Sequence, residues 1–230
     1  MFPATLFDYN GVLANDETVH LAAFQDALAP LGISLTEADY WAKYLGFDDV
    51  GAFDAILRDA GKPATPAEIA TLVEAKRPLY RARAEASLPL FDGAAELIRR
   101  RAAQGPVGIV SGALRDEIVL GMAALGVAEL IVSIVAAEDT RASKPNPHGY
   151  ELGIAALSAL IAPEAARRAL VIEDSLAGIE AAKAAGLPCI AVGHSYPEAE
   201  LRAHGADWVV ADLHAIDDTA LTTLYRKLYG

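Results

Sequence analysis

ATLFDYNGVL, residues Ala4 to Leu13, is a short apolar run that stops abruptly at the charged Asp8 and turns at Asn10-Gly11. The meaning of a strand that ends on a carboxylate depends on the elements downstream of it. From Asp16 to about Glu85 the pattern holds no convincing strand. Asp16–Leu31 reads as an amphipathic helix closed by Gly32, and Thr36 can cap a second, with Glu37 and Asp39 near its positive end. Asp49–Asp59 and Pro66–Ala86 read as two more, which makes a helical insert of roughly seventy residues.

The pattern then changes to alternation. Helix Gly93–Ala103 leads to strand Val107–Val110, and helix Leu114–Leu125 to strand Ile131–Ala136. Helix His148–Leu160, strand Ala169–Ile172, helix Ala177–Ala185 and strands Pro188–Val192 and Trp208–Val210 complete the series. Alternation of this kind predicts an α/β fold, a Rossmann-like parallel sheet covered by helices on both faces. Ligands of such sheets sit beyond the carboxyl ends of the strands. Four strand ends are therefore informative. Asp8 follows the first strand, Ser111-Gly112 the second, and Glu173-Asp174 the strand ending at Ile172, while Lys144 lies in a polar loop after the strand that begins at Ile131. Two or three carboxylates can hold a hard cation through oxygen, and a lysine with backbone N–H groups can hold phosphate oxygens.

FDYNGVL, IVSGALR, SKPNP and VIEDSLAG, in this order, resemble the four motifs of the haloacid dehalogenase superfamily, and with the early helical insert its β-phosphoglucomutase-like phosphatase and mutase branch. The likeness runs from about Leu6 to Val210. It implies a core of residues 1–14 and 88–230 with a helical cap of residues 15–87. It further implies that Asp8 is a nucleophile forming an aspartyl-phosphate, and that Ser111 and Lys144 hold the phosphoryl oxygens. Magnesium is implied at Glu173, Asp174, Asp8 and the backbone carbonyl of Asn10. The expected reaction is Mg2+-dependent hydrolysis of a small phosphorylated metabolite, with Gly112, Arg115 and His20 as candidate substrate contacts.

One position departs from the family pattern. The usual second aspartate, two residues after the nucleophile, is Asn10 here, and an amide can neither protonate a leaving group nor activate water. Positioned acid–base catalysis contributes ~10²–10⁴-fold, so slow turnover is expected unless something compensates. Three readings stay open: a substrate with a good leaving group, such as an acyl phosphate or diphosphate; a proton supplied by His20 or Glu17; or a replaced catalytic aspartate. A mutase ranks lower, because the lysine and arginine that β-phosphoglucomutases place in the cap loop are Leu45 and Asp49 here. A non-catalytic module that binds a phosphorylated ligand is the other alternative. Carbon–halogen hydrolysis does not need the acidic pair.

Several of these residues also have plainer readings. Glu173-Asp174 with Ser175 can cap the next helix, and Ser111-Gly112 can serve only as a helix-start turn. A solvent-facing role suits Arg115 as well as a substrate contact does, and a structural role suits His20. Lys76 and Arg77 can contact an anion, with a solvated helix face as the default.

Composition sets the outer bounds. The net charge of −12 argues against nucleic acid and anionic membranes as partners. No apolar run approaches the roughly 20 residues of a membrane span. With no basic leader and a single cysteine, Cys189, a cytoplasmic setting is expected, the chain acting as a monomer or weak homodimer.

Overall fold

The structure, a computed structural model, describes residues 1–230. In chain order, β1 (Thr5–Phe7) precedes four helices, α1 (Glu17–Leu28), α2 (Glu37–Asp39), α3 (Asp49–Asp59) and α4 (Pro66–Ala86). There follow α5 (Ala94–Ala102), β2 (Val107–Val110), α6 (Arg115–Ala124), β3 (Ile131–Val135), α7 (His148–Ser158) and α8 (Pro163–Ala166). The chain ends with β4 (Leu170–Glu173), α9 (Leu176–Ala184), β5 (Cys189–Val192), α10 (Glu198–Ala203), β6 (Trp208–Val210) and α11 (Asp218–Tyr229). It divides into two compact units, Met1–Asn15 with Leu90–Gly230, and Asp16–Pro89.

The first unit is a six-stranded parallel sheet in the order β3-β2-β1-β4-β5-β6. β1 is central: Phe7 pairs with Ile109 on one side and Ile172 on the other. Strands covered on both faces read as continuous apolar runs, which is why VGIV and CIAV are buried throughout. Alternate residues feed two cores. Phe7, Ile109, Ile172 and Ile190 pack with Leu97, Ile118 and Leu221 on one face. On the other, Leu6, Val171 and Cys189 pack with Tyr150, Ile154 and Ile179. The sheet reverses its winding direction at β1, and the crevice at such a reversal is where ligands of these folds bind.

One strand boundary differs from the sequence expectation in a way that matters. β4 runs one residue further, with Glu173 opposite Ala191 in the ladder. A fully buried charge ends an apolar pattern in sequence, yet here its partners let it stay in the strand. α8, α10 and α11 have no counterpart in the sequence pattern. α11 is amphipathic and closes one core through Leu221 and Leu224, and Asp217 caps its first turn by accepting from Ala220 N–H at 2.7 Å.

The second unit is all helical around Phe24, Leu28, Phe53, Ile56, Leu57, Ile69 and Val73. Thr65 and Glu68 form a reciprocal capping box that starts α4, with Pro66 at its first position. Thr36 accepts from Asp39 N–H at 3.0 Å, but α2 is a single turn that continues as a π-helical segment, Tyr40–Tyr44. Lys76, which its sequence places by default on a solvated face, is 0% exposed. Its ammonium lies 2.5 Å from Asp49 Oδ1 and 2.8 Å from His20 Nδ1, and 4.4 Å from the centroid of the Phe24 ring. A lysine can be buried only with such compensation. No helix of the chain is long and apolar enough to cross a membrane.

Candidate active site

The site is assembled where the first three parallel ladders run out. Asp8 follows β1, its N–H donating to Ile172 O at 2.9 Å, which carries the ladder one residue past the strand. Ser111 does the same after β2, donating its N–H to Val135 O at 3.0 Å. The Ser111 hydroxyl accepts from Ala113 N–H at 3.3 Å. Gly11, at φ +72°, turns the chain immediately after Asn10. A Cβ at Gly11 would lie 1.9 Å from Asp174 Oδ2, so glycine is what lets the β1 loop approach the acidic pair.

Asp8, Glu173 and Asp174 are all buried and can each offer an oxygen within 4.8 Å of the others. Lys144, on the loop between β3 and α7 and joined to Pro145 by a cis peptide bond, reaches into this group. Its Nζ lies 3.0 Å from Asp8 Oδ1 and 2.6 Å from Glu173 Oε1. Three carboxylates against one ammonium leave two negative charges in a buried space.

The consequences depend on which groups stand closest to the lysine. Burial alone would raise the Glu173 carboxyl, but Lys144, with Tyr150 O–H at 2.8 Å and the Ser175 N–H, holds it below the ordinary carboxylate value. Burial pushes Asp8 up to about 6, and the Glu173 charge adds to this, while Lys144 and the Ser111 hydroxyl pull it part-way back. Asp174 is driven well above its usual value by burial and by Glu173 and Asp8. Lys144 itself loses by burial, yet Asp8 and Glu173 more than offset this and keep it protonated. Two buried carboxyls raised by desolvation and by their charged neighbours are what a divalent cation relieves, and an all-oxygen donor set suits a hard one. The residues therefore fit such a metal.

Other residues support this group without a motif of their own to announce them. Tyr150 from α7 donates to Glu173 Oε1. Glu173 Oε2 accepts from the N–H groups of Asp174 and Ser175 and from the Ser175 hydroxyl. Ser175 caps α9, accepting from Gly178 N–H at 3.0 Å, and a Cβ at Gly178 would lie 1.8 Å from Glu173 Oε1. The stretch EDSLAG thus both caps a helix and seats a buried carboxylate against that helix's first turn. A tyrosine on a buried helix face and a serine at a cap carry no distinct sequence signal for this role.

The remaining candidates lie elsewhere or are otherwise engaged. Gly112 is exposed at the turn into α6. Arg115 is paired with Asp139 and donates to Ile134 O at 3.2 Å, at the end of β3, and its contacts do not include the Asp8 group. Within the helical unit, His20 Nε2 is 3.4 Å from Asp16 Oδ2 in addition to its Lys76 contact, and Glu17 accepts from the Tyr40 hydroxyl.

A sequence model of the haloacid dehalogenase-like hydrolase family matches residues 5–192. The chain belongs to that family. Validoxylamine A 7'-phosphate phosphatase of Streptomyces hygroscopicus subsp. limoneus is 30% identical over 226 residues, spanning 93% of this chain and 95% of the relative. That match, along nearly the whole of a named phosphatase, sets this family member among the haloacid dehalogenase-like phosphatases. An Asp-to-Asn variant of CbbY from Rhodobacter sphaeroides, crystallised with xylulose-(1,5)bisphosphate, superposes with a TM-score of 0.79 at 30% identity, covering 93% of this chain and 95% of that one. β-Phosphoglucomutase from Clostridium difficile, at 20% identity, shares the fold with a TM-score of 0.84 over 99% of both chains.

Proposed function

We propose that this haloacid dehalogenase-like hydrolase removes phosphate from a small phosphorylated metabolite, a sugar phosphate or sugar-like phosphate, through an aspartyl-phosphate on Asp8, with magnesium bound beside it. The observation that carries the reading is the convergence of Asp8, Lys144, Glu173 and Asp174 at the carboxyl ends of β1 and β4. The relatives supply the substrate class: one is named for a validoxylamine phosphate and another holds a sugar bisphosphate.

Asp8, Glu173, Asp174 and the backbone carbonyl of Asn10 would hold the magnesium ion, and Glu173 also anchors Lys144. When bound, the ion supplies positive charge that offsets the repulsion between a carboxylate and a phosphate dianion. The Asp8 carboxylate attacks phosphorus, the P–O bond to the organic group breaks, and water then cleaves the acyl phosphate. Lys144 restrains Asp8 and offers a compact charge to the phosphoryl oxygens, and the Ser111 hydroxyl donates to them. The Asn10 amide transfers no proton, so substrates whose leaving group needs none react best. In this reading the helical unit supplies substrate specificity. Leu45 opens the turn before α3 and Asp49 is the first residue of that helix, where it is paired with Lys76. With no cation at positions 45 and 49, a single phosphate is favoured over mutase chemistry on a bisphosphate.

The test is phosphate release from sugar phosphates, nucleotides, acyl phosphates and diphosphate, with and without magnesium. Release that requires both magnesium and Asp8, absent in Asp8→Asn, supports the reading. No release from any of them by a protein that binds magnesium overturns it in favour of a non-catalytic binder.

A further inference from the structure

The loop after β5 lies outside the four motifs, and yet it touches the site at two points. The Ser195 hydroxyl donates to Asp174 Oδ2 in a short hydrogen bond. The adjacent His194 places Nδ1 2.9 Å from the carbonyl oxygen of Gly11. A carbonyl only accepts, so Nδ1 carries the proton, and the tautomer is set by this contact. The His194 ring is itself fixed, stacked on Phe91 with centroids 3.9 Å apart and planes 9° from parallel. Phe91 in turn donates its N–H to Leu13 O at 3.0 Å, which returns the chain of contacts to the loop after Asp8.

Three loops are thereby tied together: the turn after β1 through Gly11, the end of β4 through Asp174, and the loop after β5. Gly11 and Ser195 both approach Asp174 Oδ2, the first through its bare Cα and the second through its hydroxyl. A buried carboxylate held at one oxygen cannot rotate freely about its Cβ–Cγ bond. Held by Ser195 at Oδ2, Asp174 keeps Oδ1 directed to one place.

We propose that Ser195 and His194 are positioning residues of the catalytic centre. Ser195 sets the rotation of the Asp174 carboxylate toward the metal, and His194 holds the Gly11 peptide so that the Asn10 carbonyl is presented to the same ion. The inference rests on the magnesium-dependent reading above. Partners that orient metal-binding side chains typically alter metal affinity by 10–100-fold when removed. The roles are distinct from simple packing, since hydroxyl and ring N–H contribute hydrogen bonds that isosteric apolar groups cannot.

The experiment is calorimetric titration of Mg2+ into the full-length, chelator-treated protein, with melting temperatures of the metal-free forms measured alongside. Ser195→Ala is expected to weaken Mg2+ binding about 10-fold or more with the metal-free melting temperature unchanged, and Ser195→Thr to restore the affinity. His194→Phe, which keeps a flat ring on Phe91 but removes Nδ1–H, is expected to weaken Mg2+ binding in the same way. Ser195→Ala binding Mg2+ as tightly as the parent overturns the inference and leaves the phosphatase reading standing. Loss of affinity in both Ser195 variants, together with a lowered metal-free melting temperature, also overturns it, because the serine then acts by packing. A parent protein that binds no Mg2+ refutes the metal reading itself.

Discussion

The raised Asp8 carboxyl makes the metal-free protein less stable as pH rises, by an amount set by the size of its shift. Asp8 titrates at 3.8 when unfolded and at about 6 in the fold. At 1.36 kcal/mol per unit, its full contribution is about 3 kcal/mol, present below the unfolded value and lost as pH rises through the folded one. Roughly 1 kcal/mol of that loss falls between about pH 5 and 7.5. Asp174 is shifted in the same direction and adds to the loss. Glu173 is shifted down, so its stabilisation is complete above its unfolded value of 4.5 and stays constant over this window. Lys144 is shifted up, so its contribution is undiminished well below 10.5. For a chain of this size, a loss of roughly 1 kcal/mol corresponds to a melting-temperature fall of roughly 2–4 °C. The assay is thermal unfolding in the presence of a chelator at pH 5 and pH 7.5, for the parent and for Asp8→Asn, whose amide does not titrate. A parent whose stability falls more steeply with pH than that of the variant agrees with the structure. Identical slopes, or a parent that gains stability toward pH 7.5, would refute the account of the buried carboxylates.

Three further outcomes are expected from named contacts. Asn10→Asp is expected to raise turnover of alkyl phosphates by ~10²–10⁴-fold in steady-state assays and to speed hydrolysis of the aspartyl-phosphate from every substrate, because an aspartate can both protonate a leaving group and activate water. Gly11→Ala combines a positive φ with a Cβ 1.9 Å from Asp174 Oδ2, and is expected to cost roughly 1–3 kcal/mol in urea unfolding and to weaken Mg2+ binding. Lys76→Met leaves Asp49 without its buried ammonium, an expected loss of about 3–5 kcal/mol in denaturant unfolding, part of which Asp49→Asn recovers in the double variant.

Legibility in the sequence depends on how local the cause is. The sheet can be read because strands buried on both faces are unbroken apolar runs, and VGIV and WVV occupy the spans their pattern predicts. Asp8, Ser111 and the Glu173-Asp174 pair stand out because a polar residue that ends such a run is at the ligand-binding edge by topology. Lys144 stands out only through its place among them, since a lysine before a proline in a loop looks like a solvated one. Lys76 misleads for the same reason in reverse. Its partners Asp49 and His20 are 27 and 56 residues away, and no helical periodicity reports a buried ion pair assembled from three helices. Arg115 looks like a substrate contact from its position at a helix start, but Asp139, in the turn after β3, takes its guanidinium. Tyr150, His194 and Ser195 are invisible, because each acts through another residue's hydrogen-bonding group and none has a pattern of its own. α11 escapes because its apolar positions, Leu221 and Leu224, are interleaved with threonines and charged residues that weaken the helical signal.

The most direct test of the central claim is to trap the covalent intermediate. The protein is mixed with acetyl phosphate and Mg2+, quenched in acid on the millisecond scale, and analysed by peptide mass spectrometry. The account predicts a phosphoryl group on the peptide containing Asp8, dependent on Mg2+ and absent from Asp8→Asn. Phosphate release without a phosphorylated Asp8 in the quenched protein, or phosphorylation at a different residue, would contradict it.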